Sequence, residues 1–304
     1  MRFQLAIAVL LLSACQTIHF SKNPTVGVPQ IPIPRQTVPF ALVLGGGGAR
    51  GLAHVGVLEE LEVAGLKPDI IVGCSAGAIV GVLYAARPDI KWLKQILLER
   101  QVDEFLDFAL KDLPYGVSTN TKLRDFLDKH IPNKRFEDLE IPFIAVATNL
   151  QTGELTPFFT GLVTSPILAS SAVPGVFRPV EMYGTYFVDG GVADPVPVQT
   201  ARLLKAKTVV AVEIGQALAT EAPNNIFEVV WRSLAINYLA LSKKNVQMAD
   251  VPIDVPLGNI SMFSTKRNFD MYVLGRIEAA KALPKIKKLL STKTKPVSST
   301  PRRH

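Results

Sequence analysis

Five residues, Gly73-Cys74-Ser75-Ala76-Gly77, constrain this chain more than any other stretch. The apolar run Asp69-Ile70-Ile71-Val72 leads into them, and residues 76–86 lead out with helical composition. A strand that turns into a helix through Gly-x-Ser-x-Gly holds its serine on a sharp bend. The glycines give the backbone room to turn. Ser75 Oγ then faces outward at a helix N-terminus, where the dipole favours developing negative charge.

Similar punctuation recurs along the chain. Residues 40–44 read as a short buried strand ending in a glycine loop; Leu52, Val55, Leu58, Leu61 and Leu66 follow at near-helical spacing, and Gly65 is the expected helix end. Helices are expected over 89–99, 121–129 and 225–249, and over 270–290 with an interruption at Pro284. Strands are expected over 69–72, 143–148, 154–159, 185–188, 208–214 and 251–255. Strands alternating with helices imply an α/β fold whose mostly parallel central sheet is covered on both faces.

The ends of the chain differ from its middle. Arg2 precedes the apolar run 3–12, which is too short to span a bilayer. The run ends in Leu12-Ser13-Ala14-Cys15, which resembles the lipobox of bacterial lipoproteins and predicts removal of residues 1–14 and acylation of Cys15. Gln16, rather than Asp, follows Cys15, so the expected location is an envelope membrane, the outer membrane facing the periplasm. Residues 15–39 form a tether, with five prolines between 17 and 39. The domain is expected over 40–290 and a basic, unstructured tail over 291–304.

The formal charge of +7 raises the question of a nucleic-acid partner. From Lys281 onward there are eight Lys and Arg and no acid, and without them 25 basic residues face 26 acidic ones. The body is near neutral, and the tail has no interleaved aromatics to stack bases, so no nucleic-acid partner is expected. No cysteine and histidine cluster has zinc spacing, and no metal is expected.

A serine nucleophile needs a base. The four histidines are His19 in the tether, His54 in the first helix, His130 at a helix end and His304 at the terminus. None has a clear claim, and His54 and His130 read as packing or dipole contacts. Asp189 ends a strand and precedes Gly190-Gly191, which could aim a carboxylate into a crevice; an ordinary Asp-Gly turn reads the same locally. The loop Gly45-Gly46-Gly47-Gly48-Ala49-Arg50-Gly51 offers backbone amides at a helix N-terminus. It fits a phosphate cradle or an oxyanion hole. The dinucleotide version needs an acid at the end of the second strand, and Asp69 instead precedes that strand.

The glycine loop with its basic residue, then Gly-x-Ser-x-Gly, then Val188-Asp189-Gly190-Gly191-Val192, in that order, resembles the patatin-like phospholipases. Residues 169–177, Ala-Ser-Ser-Ala-Val-Pro-Gly-Val-Phe, are similar to the small bacterial members, and the likeness runs from about residue 40 to about 255. The resemblance implies a three-layer α/β/α sandwich and a Ser75–Asp189 dyad without histidine. It implies an oxyanion loop of Gly46, Gly47 and Gly48 with Arg50 at its basic position. It further implies hydrolysis of acyl esters of phospholipids or lysophospholipids without metal or cofactor. Cys74 fills a variable position as a small buried side chain. Two rivals stand beside this reading: a non-catalytic lipid-binding or regulatory protein on the same fold, and a nucleotide-binding enzyme using the glycine loop.

Overall fold

The buried strands send alternate side chains to two apolar layers. Leu42 and Leu44 of β1 (Phe40–Leu44) join one core, and Ala41 and Val43 join the other. The same division runs through β2 (Ile70–Cys74), β3 (Phe143–Asn149) and β7 (Thr208–Glu213). Burial on both faces gives near-continuous apolar sequence. The computed structural model describes residues 36–100, 104–105, 116–215, 217–218, 220–258, 260–261 and 266–292, with isolated positions before residue 36. The leader 1–14, Cys15, most of the tether and residues 293–304 lie outside the described residues.

With β4 (Leu155–Phe158), β5 (Val180–Met182), β6 (Thr185–Asp189) and β8 (Val251–Asp254), these strands form one sheet in the order β5-β6-β3-β2-β1-β7-β8, with β4 also on β3. From β8 to β3 the pairing is parallel, whereas β4, β5 and β6 join antiparallel. The sheet is therefore parallel in one half and mixed in the other.

Helices α1 (Leu52–Val63), α2 (Ala76–Ala86), α3 (Ile90–Leu97), α4 (Thr121–His130) and α5 (Thr164–Ser170) pack into the first core, with α8 (Asn268–Thr292). On the opposite face lie α6 (Val198–Leu203) and the end of α7 (Ile226–Val246). The result is a three-layer α/β/α sandwich. Asp89 caps α3 by accepting the Trp92 N–H at 3.1 Å, and Gly65, at φ 70°, turns the chain after α1.

Two expectations change. Helix α8 is continuous across Pro284 and runs through Thr292, past the expected tail boundary. The buried Ile286 and the packed Leu289 and Leu290 hold its last turns against the core, outweighing the lost backbone hydrogen bond. The short elements β5, α5 and α6 have too few residues for periodicity to register. Asp69 accepts the Phe40 N–H at 2.7 Å, so it pins the start of β1, at the far end of that strand from the glycine loop.

Candidate active site

The site forms where β1, β2 and β6 end. Ser75 follows β2 with φ 52° and ψ −120°, a strained conformation for a residue with a side chain. The flanking glycines serve close approach. A Cβ on Gly77 would lie 2.1 Å from the Leu44 carbonyl oxygen, and one on Gly73 would lie 2.6 Å from that of Gly77. The bend itself is carried by Ser75. Its N–H donates to Ser170 Oγ at 2.9 Å, and Ser171 Oγ donates to its carbonyl at 3.4 Å. Two buried serines thus hold both sides of the strained residue. They stand out in the sequence only as a polar pair within residues 169–177, and no role follows from that alone.

Sheet register brings the carboxylate to the serine. Cys74 pairs with Val146 on β3, and Ala147, one residue on, pairs with Asp189 on β6. Ser75 and Asp189 therefore stand level on either side of β3. Ser75 Oγ donates to Asp189 Oδ2 at 2.6 Å, and the Gly191 N–H donates to Oδ1 at 2.7 Å. Thr148 Oγ1 donates to the Asp189 carbonyl at 2.9 Å, fixing the turn. Both Ser75 and Asp189 are 5% exposed. Burial raises the Asp189 pKa to about 6, against the opposing pull of its hydrogen bonds from Ser75 and Gly191. A carboxylate so placed can take the serine proton at neutral pH.

The glycine loop faces this pair. Gly46 N–H donates to the Pro195 carbonyl at 3.0 Å, so it is committed. Among the described residues no hydrogen bond takes up the Gly47 or Gly48 amide. Arg50 is buried, and its Nε donates to the Gly47 carbonyl at 2.9 Å, ordering the loop; its Nη1 is buried without a partner among the described residues. Burial lowers its pKa.

His54 is fully buried, with Nε2 2.7 Å from the Gly45 carbonyl oxygen. A carbonyl can only accept, so Nε2 carries the proton and the ring is tied to the loop backbone rather than to Ser75. Desolvation lowers its pKa to about 4. His130 packs against the Phe126 ring at 4.6 Å. The Cys74 thiol is buried 4.0 Å from Asp189 Oδ1, and burial raises its pKa well above 9.0. Among the described residues no three His, Cys, Asp or Glu side chains are grouped to hold a metal.

Periodicity does not single out Tyr238 of α7. Its hydroxyl is buried without a partner among the described residues. A Cβ on Gly46 would lie 2.5 Å from that hydroxyl and 3.1 Å from Ser75 Cβ, and one on Gly191 would lie 2.5 Å from Tyr238 Cε2. The phenol ring therefore spans the glycine loop and the Asp189 turn.

A family model described as patatin-like phospholipase matches residues 42–202, the span that holds the glycine loop, Ser75 and Asp189. The chain belongs to the patatin-like phospholipase family. It is 37% identical over 185 residues to an uncharacterized NTE family protein of Mycobacterium tuberculosis, a match covering 60% of this chain and 51% of that one. It is 34% identical over 182 residues to the lysophospholipase NTE1 of Cryptococcus neoformans, covering 58% of this chain and 11% of that one. This patatin-like chain thus spans about half, or less, of the length of the curated relatives it matches. VipD from Legionella pneumophila shares its fold, with a TM-score of 0.54 and 16% identity over 90% of this chain and 70% of that chain. The family is one of lipid hydrolases.

Proposed function

We propose that this chain is a serine acyl hydrolase cleaving acyl esters of phospholipids or lysophospholipids, with Ser75 as nucleophile and Asp189 as its base. The observation that carries this reading is the 2.6 Å hydrogen bond from Ser75 Oγ to Asp189 Oδ2 at a buried position. Ser75 Oγ bonds to the acyl carbonyl carbon while its proton passes to Asp189. Charge gathers on the carbonyl oxygen, where the free amides of Gly47 and Gly48 act as donors, each contributing about 3 kcal/mol. Collapse breaks the ester bond; the alcohol leaves with the proton from Asp189, and the acyl group stays on Ser75. Water then attacks the acyl-serine, gives a proton to Asp189 and releases the fatty acid, and the proton returns to Ser75. A pKa of about 6 makes Asp189 a stronger base than a carboxylate at 3.8 while leaving it ionised at pH 7. The lysophospholipase name carried by one relative supports the substrate class.

This reading extends to location. Acylated Cys15 anchors the chain to a bacterial envelope membrane, the outer membrane facing the periplasm, with the tether reaching to the domain. The support is the lipobox-like sequence ending at Cys15. Incorporation of an alkyne-tagged palmitate, lost in Cys15→Ser, tests the anchor.

The test of the chemistry is fatty-acid release from lysophosphatidylcholine and phosphatidylglycerol, scored by mass spectrometry, alongside labelling by a fluorophosphonate. Wild type is expected to release fatty acid and to be labelled at Ser75, and Ser75→Ala to do neither. Turnover by a folded Ser75→Ala protein refutes the nucleophile. No release and no labelling in wild type, with any of several esters, favours the lipid-binding rival.

A further inference from the structure

The helix that carries Tyr238 is unusual on its outer side. Ile226 is 73% exposed and Val230 54%, and Val229, Leu234 and Ile236 are exposed beside them. Of the other exposed residues over this stretch, Ser233, Asn237 and Ala240 carry no charge, and Glu228 lies in the first turn. Before Ser242 the helix has two charged side chains, and both are engaged at its start. Glu228 accepts from Asn224 and Asn225, and Arg232 Nη1 donates to the Glu221 carbonyl at 2.7 Å. Exposed Lys243 and Lys244 stand at the far end. These five apolar side chains make one contiguous exposed face, the kind of patch that marks an interaction surface.

The inner side of the same helix closes the site. Tyr238 lies against the glycine loop and the Asp189 turn, next to Ser75, as the Gly46 and Gly191 contacts require. Two polar contacts fix the last turns of α7: Ser242 Oγ donates to Glu213 at 2.7 Å, and Asn245 Nδ2 donates to Asp194 at 2.7 Å. The first turns have no buried side chain described. A helix whose buried polar anchors lie in its last turns and whose outward face is apolar can shift at its first turns when that face finds an apolar phase.

We propose that the outer face of α7 docks on the surface of a lipid aggregate, and that docking withdraws Tyr238 from the glycine loop to admit the acyl chain. The partner is an anionic lipid surface. A band of apolar side chains ending in two lysines, with its one acid, Glu228, hydrogen-bonded at the helix start, matches headgroups above acyl chains, and it lies on the helix that covers the site in a family of lipid hydrolases. The inference rests on the acyl-hydrolase reading above, which supplies the reason for the site to open.

The test uses the full chain as Cys15→Ser, so that no acyl anchor contributes. Flotation with vesicles of ether-linked phosphatidylglycerol, which the enzyme cannot consume, reads docking. The rate of fluorophosphonate labelling with and without those vesicles reads opening. The parent chain is expected to float and to label about tenfold faster with vesicles. Ile226→Asp with Val230→Asp is expected to stay in the dense fraction and to label no faster with vesicles than without. Tyr238→Ala, native by circular dichroism, is expected to label about tenfold faster than the parent without vesicles.

The proposal is overturned if the parent chain stays in the dense fraction, or if the aspartate pair floats as the parent does. It is also overturned if Tyr238→Ala labels no faster than the parent, or if the parent sediments as a dimer that the aspartate pair splits. Tyr238→Phe, which keeps the ring, is expected to match the parent; a large loss of labelling with vesicles makes the phenol an oxyanion donor and sinks the occluding role. Flotation without labelling or ester cleavage under any condition refutes the hydrolase reading instead and leaves the docking face standing.

Discussion

Asp189 joins chemistry to stability, and Asp189→Asn separates the two. Burial lifts its carboxyl from 3.8 to about 6 in the folded protein, whereas in the unfolded chain it ionises at its ordinary value. Between those values the folded state holds a proton that the unfolded state has released. The contribution of this group to stability is therefore greatest below about pH 4 and declines as pH rises to about 6, with no further change above. At about 1.36 kcal/mol for each pH unit, the interval from 3.8 to about 6 corresponds to about 3 kcal/mol of destabilisation at pH 8. Asn is nearly isosteric. It keeps an acceptor for the Gly191 N–H and can donate to Ser75 Oγ, at a cost of about 1 kcal/mol for replacing a charged acceptor. The variant is expected to be more stable than wild type by about 2 kcal/mol at pH 8, with that gain gone at pH 4 and below. Ester turnover should fall by about a thousandfold, because the base is lost. Urea titrations followed by circular dichroism at whole pH units from 4 to 8 give the comparison. Asp194, raised to about 6 by burial, and His54, lowered to about 4, titrate in both proteins and cancel. A difference constant across pH, or a variant less stable than wild type at pH 8, refutes the buried-charge argument whatever happens to activity.

Three further outcomes follow from the same geometry. The kcat/KM for a monomeric ester should climb about tenfold per pH unit below about pH 6 and level off above, since the carboxylate is the working form; a limb near neutrality that disappears in His54→Ala assigns the base to histidine. Ser170→Ala leaves the Ser75 N–H without its acceptor, and should cost about 1–3 kcal/mol in urea melts and lower kcat more than it changes KM. Gly275→Ala would set a Cβ 2.0 Å from the Ala53 carbonyl oxygen where α8 crosses α1, and should destabilise by about 2 kcal/mol or more despite the helix preference of alanine, leaving the pH profile of turnover unchanged.

Local patterns reach some of these features and miss others. The strand, elbow and helix around Ser75 are legible because apolar runs, glycines and helix formers follow one another without a gap. The long helices and the buried strands were legible for the same reason. Helix α6, six residues starting after Pro197, and strand β5, three residues long, are shorter than any period that could mark them. The continuity of α8 across Pro284 was hidden, because the burial of Ile286 that offsets the proline is a tertiary contact. Asp189 read as well as a turn residue as it did a base. Ser170 and Tyr238 gave no functional signal, because their roles lie in what they touch.

The sequence by itself determined the longer strands and helices, since their patterns depend on residues within a few positions of one another. It also marked Ser75 as a residue on a bend. Only the tertiary structure decided that Asp189, rather than His54, stands beside Ser75. That outcome depends on strand order and register: β3 lies between β2 and β6 and sets the two residues level, while the backbone of Gly45 holds His54 away. The proton affinity of Asp189 is likewise a property of the packed interior, because the loss of water that raises it comes from side chains distant in sequence.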